Sequence, residues 1–315
     1  MKTNDGGAGL RPAPTTAPTA THREVPLRGY TTVLLGTVIW ALTGIVIKVL
    51  LTTYQMETLT IAFWRVFFVT AFLFLALLIW DRKLFRIAPR DLGAFFVYGL
   101  IGIGIHQIVW ISSVQYNGAA VATVIIYISP AIVGILAARF LNEGMNRIKI
   151  IALALTIVGC ILVVRAYDLN QVQLNLLGIA VGIGSACTFA TYSLMGRFIS
   201  KSYSPWTSIF YAFFFGLVFL LPVVLIAGKL LPGNLPLDGW GTLLFLALVP
   251  TLGGFGAYTV GLSHLPASVA SILAAFEPVT TAIVAYFIFG ETLDSLQLLG
   301  AGLILVSVVM LRPKN

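Results

Sequence analysis

The chain has 315 residues, 59% of them hydrophobic and only 10% charged, with a mean hydropathy of +0.99. A soluble domain carries roughly 25% charged residues to meet water; less than half that share excludes a water-facing exterior, so the outside must face lipid. The net charge of +8 does not indicate nucleic acid, because the basic residues sit in short clusters between apolar runs, as topology signals do.

Residues 1–28 differ from all that follows: the Gly-, Pro-, Ala- and Thr-rich stretch Gly6 to Thr21 has no apolar period and is expected to be a disordered cytosolic tail. It lacks the apolar core and small-residue cleavage site of a secretory signal. About 20 apolar residues are needed to cross the hydrocarbon as a helix. Such runs occur at 30–50, 57–79, 91–113, 119–138, 148–164, 175–199, 205–227, 239–260, 267–289 and 295–311. They are too long and too uniformly apolar for barrel strands. The predicted fold class is therefore an all-α integral membrane protein with ten transmembrane helices. Short loops such as Tyr116-Asn117-Gly118 and Leu231-Pro232-Gly233-Asn234 join them. Cys160 and Cys187 lie inside apolar runs and read as small buried side chains rather than a disulfide. Gly178 and Gly182 form a small-residue packing face; no strand precedes them, which rules out a dinucleotide site.

With the N-terminus inside, fifteen of the 19 basic residues fall on the inner side and only Lys48, Arg165 and Lys229 on the outer, with Arg65 inside a span. That bias places both termini in the cytosol. Sliding the sequence by 148 residues lays Ala119-Ala120-Val121-Ala122 over Ala267-Ser268-Val269-Ala270, Pro130 over Pro278, and Glu143 over Glu291. A shift of 149 lays Trp40-Ala41 over Phe189-Ala190. The chain thus divides into a first repeat, 29–165, and a second, 166–315, each of five helices. Five is odd, so the second half is inverted relative to the first, an arrangement that underlies alternating access around a midplane site.

These residues carry a resemblance. The small-residue runs Ala119 to Ala122 and Ala267 to Ala270, the mid-helix Pro130 and Glu277-Pro278, and the helix-end Asn142-Glu143 and Gly290-Glu291, with Trp40 and Arg65, resemble the drug/metabolite transporter superfamily in its ten-helix EamA-type form. The resemblance spans about 30–311. It implies secondary transport of small metabolites, mostly export of amino acids and related compounds. Asn142 departs from the glycine usual before the glutamate.

Charge in hydrocarbon is expensive, so each ionisable residue within a span is a candidate. Glu277 lies near the midplane on a stripe with Ala270, Ala274, Thr280 and Thr281, and either carries a proton or cation during transport or only ties helices together. Arg65 needs a partner: Glu277, helix-end carbonyls, or an anionic substrate group. His106 shares a face with Gly99, Gly102, Trp110 and Ser113 and either packs or relays protons. Trp40, Trp110, Tyr127, Tyr192 and Tyr258 are candidate cavity aromatics. Pro130 and Pro278 free carbonyls at equivalent depths and are candidate gating breaks. Glu143 and Glu291 are each expected to open the following helix, where negative charge suits the dipole. No metal site, cofactor or ATP-binding loop is expected.

The function expected is secondary transport, most of all amino-acid export from the bacterial inner membrane, with protons as the coupling ion and a homodimer left open. The alternative is multidrug or organic-cation efflux. From another class come an intramembrane enzyme, for which no catalytic constellation appears, and a non-transporting membrane scaffold.

Overall fold

The computed structural model describes residues 27–168, 175–289 and 293–312. Among these are ten helical segments, eight of them long and apolar enough to cross a membrane and two, the fifth and the tenth, shorter. They are α1 (Leu27–Thr52), α2 (Thr58–Trp80), α3 (Pro89–Gly118), α4 (Val121–Phe140), α5 (Arg147–Val163), α6 (Leu176–Ile199), α7 (Pro205–Ile226) and α8 (Leu237–His264), then α9, in two pieces (Ala267–Ala274 and Glu277–Phe289), and α10 (Ser295–Met310). The outward faces stay apolar, as Ile135 at 70% and Ile226 at 89% exposure illustrate, and only lipid tolerates such a surface. Leu27 and Arg28, assigned from sequence to the tail, already belong to α1; residues 1–26 lie outside the described residues.

Local chemistry sets the helix starts. The side chains of Asn146, Asn175, Ser204 and Asp294 accept from the first-turn amides of α5, α6, α7 and α10. At α10 the cap is reciprocal with Gln297, and its N–H bonds hold the Asp294 carboxyl below the usual range. Asn146, and not Glu143, caps α5, so the expected role of Glu143 at its own helix is corrected: its carboxylate points elsewhere. Glu291 lies outside the described residues.

The two repeats interlock. Helix α1 packs on α8, with Gly36 close to the Gly254 carbonyl, and the equivalent α6 packs on α3, with Gly102 against Tyr192. Helix α5 lies along α10, where Gly159 and Gly300 face each other. Gly178 and Gly182 do pack as expected, against Asn117 and Ser113 of α3. The Tyr30 hydroxyl donates to the Val308 carbonyl (2.6 Å), so both chain ends share one face, here called the terminal side. On the far side, Thr60 and Trp64 of α2 donate to the carbonyls of Lys229 and Leu230 (2.8 and 2.9 Å).

The irregularities recur at equivalent positions. Helix α3 loosens into π-helix over Leu100–Ile105 and α8 over Ala247–Gly253. Helix α4 breaks at Tyr127 and Ile128, and α9 at Ala275 and Phe276. Each break ends two residues before a proline, whose ring clashes with the preceding turn and which lacks an N–H.

A Cβ at Gly300 would lie 2.7 Å from the Gly159 carbonyl oxygen, whereas one at Gly302 meets nothing. Gly300→Ala is therefore expected to lower the unfolding temperature of the purified protein, at a cost of about 1–3 kcal/mol. Gly302→Ala should leave it level or raise it by the helix-propensity gain of up to about 1 kcal/mol. Equal behaviour of the two variants would show that α5 and α10 do not meet at these glycines.

Candidate functional site

Arg65 sits on the buried face of α2 between Ile61, Ala62, Val66 and Val69, and is itself 3% exposed. A guanidinium in such a place must place its N–H groups on fixed acceptors. Its Nε donates to the Thr251 hydroxyl of α8 and its Nη1 to the Gln107 side-chain oxygen of α3 (3.2 Å). Thr251 is available because of its neighbour. Pro250 has no N–H to offer the carbonyl of Leu246; the helix widens to π geometry there, and the Thr251 hydroxyl donates to the same carbonyl (2.6 Å). Its lone pairs are then turned toward Arg65. Both anchors lie at the loosened stretches: Thr251 is within that of α8, and Gln107 is two residues past the end of that of α3. Such π-helical turns recur at functional positions.

Glu277 opens the second piece of α9 and stays partly exposed. The Tyr127 hydroxyl, from the break in α4, donates to its Oε2 at 2.8 Å and lies 3.3 Å from the Ala274 carbonyl, the one that Pro278 leaves without its helical donor. The two broken helices are therefore tied to each other at their breaks. Arg65 and Glu277 lie near enough for each charge to act on the other, yet no ion pair joins them among the described residues. Ser129 occupies the position equivalent to Glu277 under the 148-residue shift; its buried hydroxyl has no partner among the described residues, and neither has the Gln107 amide nitrogen.

His106 follows the α3 loosening and its Nδ1 meets the Thr188 hydroxyl of α6 at 2.9 Å. Trp40 packs edge-on against Phe255 and Phe189, ring centres 4.9 and 6.0 Å away, and beside Tyr258 at 5.2 Å. Tyr192 and Tyr258 are fully buried, their hydroxyls bonded to Thr259 (2.7 Å) and Ser193 (2.8 Å). Trp110 is partly exposed on the far-side half of α3. The candidate residues thus fall into three groups: Arg65 with Gln107 and Thr251, Tyr127 with Glu277, and the aromatic wedge of Trp40, Tyr192 and Tyr258 with His106 at its edge. Pro130 and Pro278 do lie at the breaks.

Three polar partners, Thr251, Gln107 and Thr188, are not singled out by the sequence pattern. A signal for Thr251 exists, since a hydroxyl directly after a proline within a helix can serve the carbonyl that the proline frees. No metal-binding cluster occurs among the described residues.

Removing the Thr251 hydroxyl while keeping its shape should strand the Arg65 Nε–H. Thr251→Val is expected to destabilise by about 1–3 kcal/mol, while Thr251→Ser should retain near-native stability. Thermal unfolding of both variants checks this, and an unaffected Thr251→Val would remove Thr251 as the anchor.

The EamA-like transporter family matches residues 27–165 and again 176–312. An uncharacterized transporter of Archaeoglobus fulgidus is 29% identical over 254 residues, covering 81% of this chain and 86% of its own. The uncharacterized inner membrane transporter YicL of Salmonella typhimurium is 23% identical, covering 90% of this chain and 95% of its own. A solved crystal structure superposes with a TM-score of 0.73 at 15% identity, over 90% of this chain and 95% of that one, and shares the fold.

Proposed function

This chain belongs to the EamA-like transporter family, and from that premise we propose that it is a secondary transporter exporting amino acids or related zwitterionic metabolites by alternating access. One observation carries the substrate class. A buried guanidinium and a partly exposed carboxyl lie within reach of each other's charge without forming an ion pair. A small molecule with an ammonium and a carboxylate offers each group the partner it lacks. Glu277 takes the ammonium or, in the empty carrier, a proton; Arg65, held at a fixed angle by Thr251 and Gln107, takes the carboxylate.

The repeats 29–165 and 166–315 contribute equivalent broken helices, and the Tyr127–Glu277 bond sits where they meet. Substrate at Glu277 competes for that carboxylate with Tyr127, which links occupancy to the relative position of α4 and α9. Bulk packing about the aromatic wedge of Trp40, Tyr192 and Tyr258 supports a rigid wall beside the site.

The excess of basic residues on the terminal side supports cytosolic termini. The name of YicL supports the bacterial inner membrane. A second reading, organic-cation efflux, is favoured by a specific contrast: Glu277 keeps exposed surface while Arg65 is 3% exposed.

Uptake of labelled amino acids into proteoliposomes, with and without a pH gradient, tests the proposal. Gradient-driven flux is expected, falling at least about tenfold in Glu277→Gln, because only an ionisable group can exchange proton for ammonium. Flux unchanged by that substitution would make Glu277 structural. No amino-acid flux alongside gradient-driven flux of a quaternary or aromatic cation would establish the second reading.

A further inference from the structure

The N-terminus of α9 has first-turn amides with no partner inside the helix, as every helix start does. At this start no residue of its own segment supplies a cap; Pro266 precedes it and has no side-chain acceptor. The acceptor comes from the other repeat. Glu143, in the corner between α4 and α5, accepts from the Ala267 N–H at 2.8 Å, the Ser268 N–H at 3.1 Å and the Ser268 hydroxyl at 2.7 Å. Lys149 of α5 donates to the same Ser268 hydroxyl (2.9 Å) and to the Gly144 carbonyl (2.8 Å), so carboxylate, hydroxyl and ammonium form one chain.

The corner is shaped for this contact. Asn142 adopts φ 56°, the left-handed region in which asparagine and glycine are at home, and so turns the chain at the end of α4. The Glu143 N–H folds back to the Ala137 carbonyl (3.1 Å), leaving the carboxylate pointing away from α4. Beneath it, Val133 and Ala137 of α4 and Ala267 and Ala270 of α9 are completely buried in one cluster. The pieces of α4 and α9 on the other side of the breaks make no comparable packing among the described residues. The molecule is therefore closed toward the terminal side, and Glu143 is the carboxylate on that closure, with the Lys149 ammonium beside it.

We propose that Glu143 is the latch of the terminal-side gate: it holds the first piece of α9 against the α4–α5 corner, and must release Ala267 and Ser268 before the site opens to that side. The break at Ala275 and Phe276 lets this piece swing as a unit without unwinding. The proposal rests on alternating access and on no particular substrate.

The test uses the full chain in nanodiscs with Cys160→Ala and Cys187→Ala, and a reporter Ser271→Cys, at a position fully buried one turn into the first piece of α9. Glu143→Gln is expected to speed labelling of the reporter by a membrane-impermeant maleimide about tenfold, the population shift that losing a charge-assisted hydrogen bond allows. Ser268→Ala, which removes the hydroxyl from the α9 side, should speed it by a smaller factor, and carries the test if Glu143→Gln does not fold. A far-side control, Thr60→Cys, should label at an unchanged rate. Unchanged labelling of Ser271→Cys overturns the latch, and so does equal acceleration at Thr60→Cys, which would mean a loosened fold. Faster labelling without amino-acid flux would sink the substrate reading and leave the latch standing.

Discussion

Backbone groups inside the hydrocarbon layer must be satisfied within the protein, and two prolines that each remove one helical N–H, Pro250 and Pro278, shape the candidate site. Pro250 lacks the N–H that an α-helix would offer Leu246, and α8 widens to π-helix there; Pro278 lacks the one that would meet Ala274, and α9 breaks there. Each carbonyl has a side chain of the candidate site beside it: the Thr251 hydroxyl donates to Leu246, and the Tyr127 hydroxyl, whose one proton goes to Glu277, lies 3.3 Å from Ala274. Once Thr251 is committed as a donor, it can only accept from Arg65; Tyr127 donates at 2.8 Å to Glu277. The backbone at the two prolines thus places the side chains that hold Arg65 and Glu277.

The same positions join the two repeats. Arg65 comes from the first and Thr251 from the second; Tyr127 comes from the first and Glu277 from the second. Because the halves interlock through α1 on α8 and α3 on α6, with glycines admitting close approach on both sides, neither half completes a site alone. The loosened turns of α3 and α8 are equivalent in the two repeats, and both flank Arg65. An element present twice, in opposite orientations, provides two alternative closures around one centre. In the observed arrangement the terminal side is closed, and Glu143 of one repeat caps a helix of the other.

A carboxylate on a helix N-terminus is an ordinary source of stability. Here the helix is short, broken eight residues on, and linked to the rest of α9 through the corner before Glu277. That placement converts a capping interaction into one that can be made and released with the position of a single rigid piece.

Much of this architecture is legible in the residues alone. The apolar runs dictate ten crossings because hydrocarbon thickness sets helix length, and caps such as Asn146, Asn175 and Asp294 are written just before each helix. The repeat locates both breaks, since a proline acts on its own preceding turn. Glu277 and Arg65 stand out because ionisable side chains are rare in spans. Partnership is not legible in this way. Glu143, expected to serve the helix next to it, serves one 124 residues away; Arg65, for which Glu277 is a candidate partner, is held by Thr251 and Gln107. Helix length, capping and proline geometry depend on neighbours in the chain, so the order of residues is enough to set them. Which donor meets which acceptor depends on how ten helices pack, and that is settled only when distant parts of the chain come together.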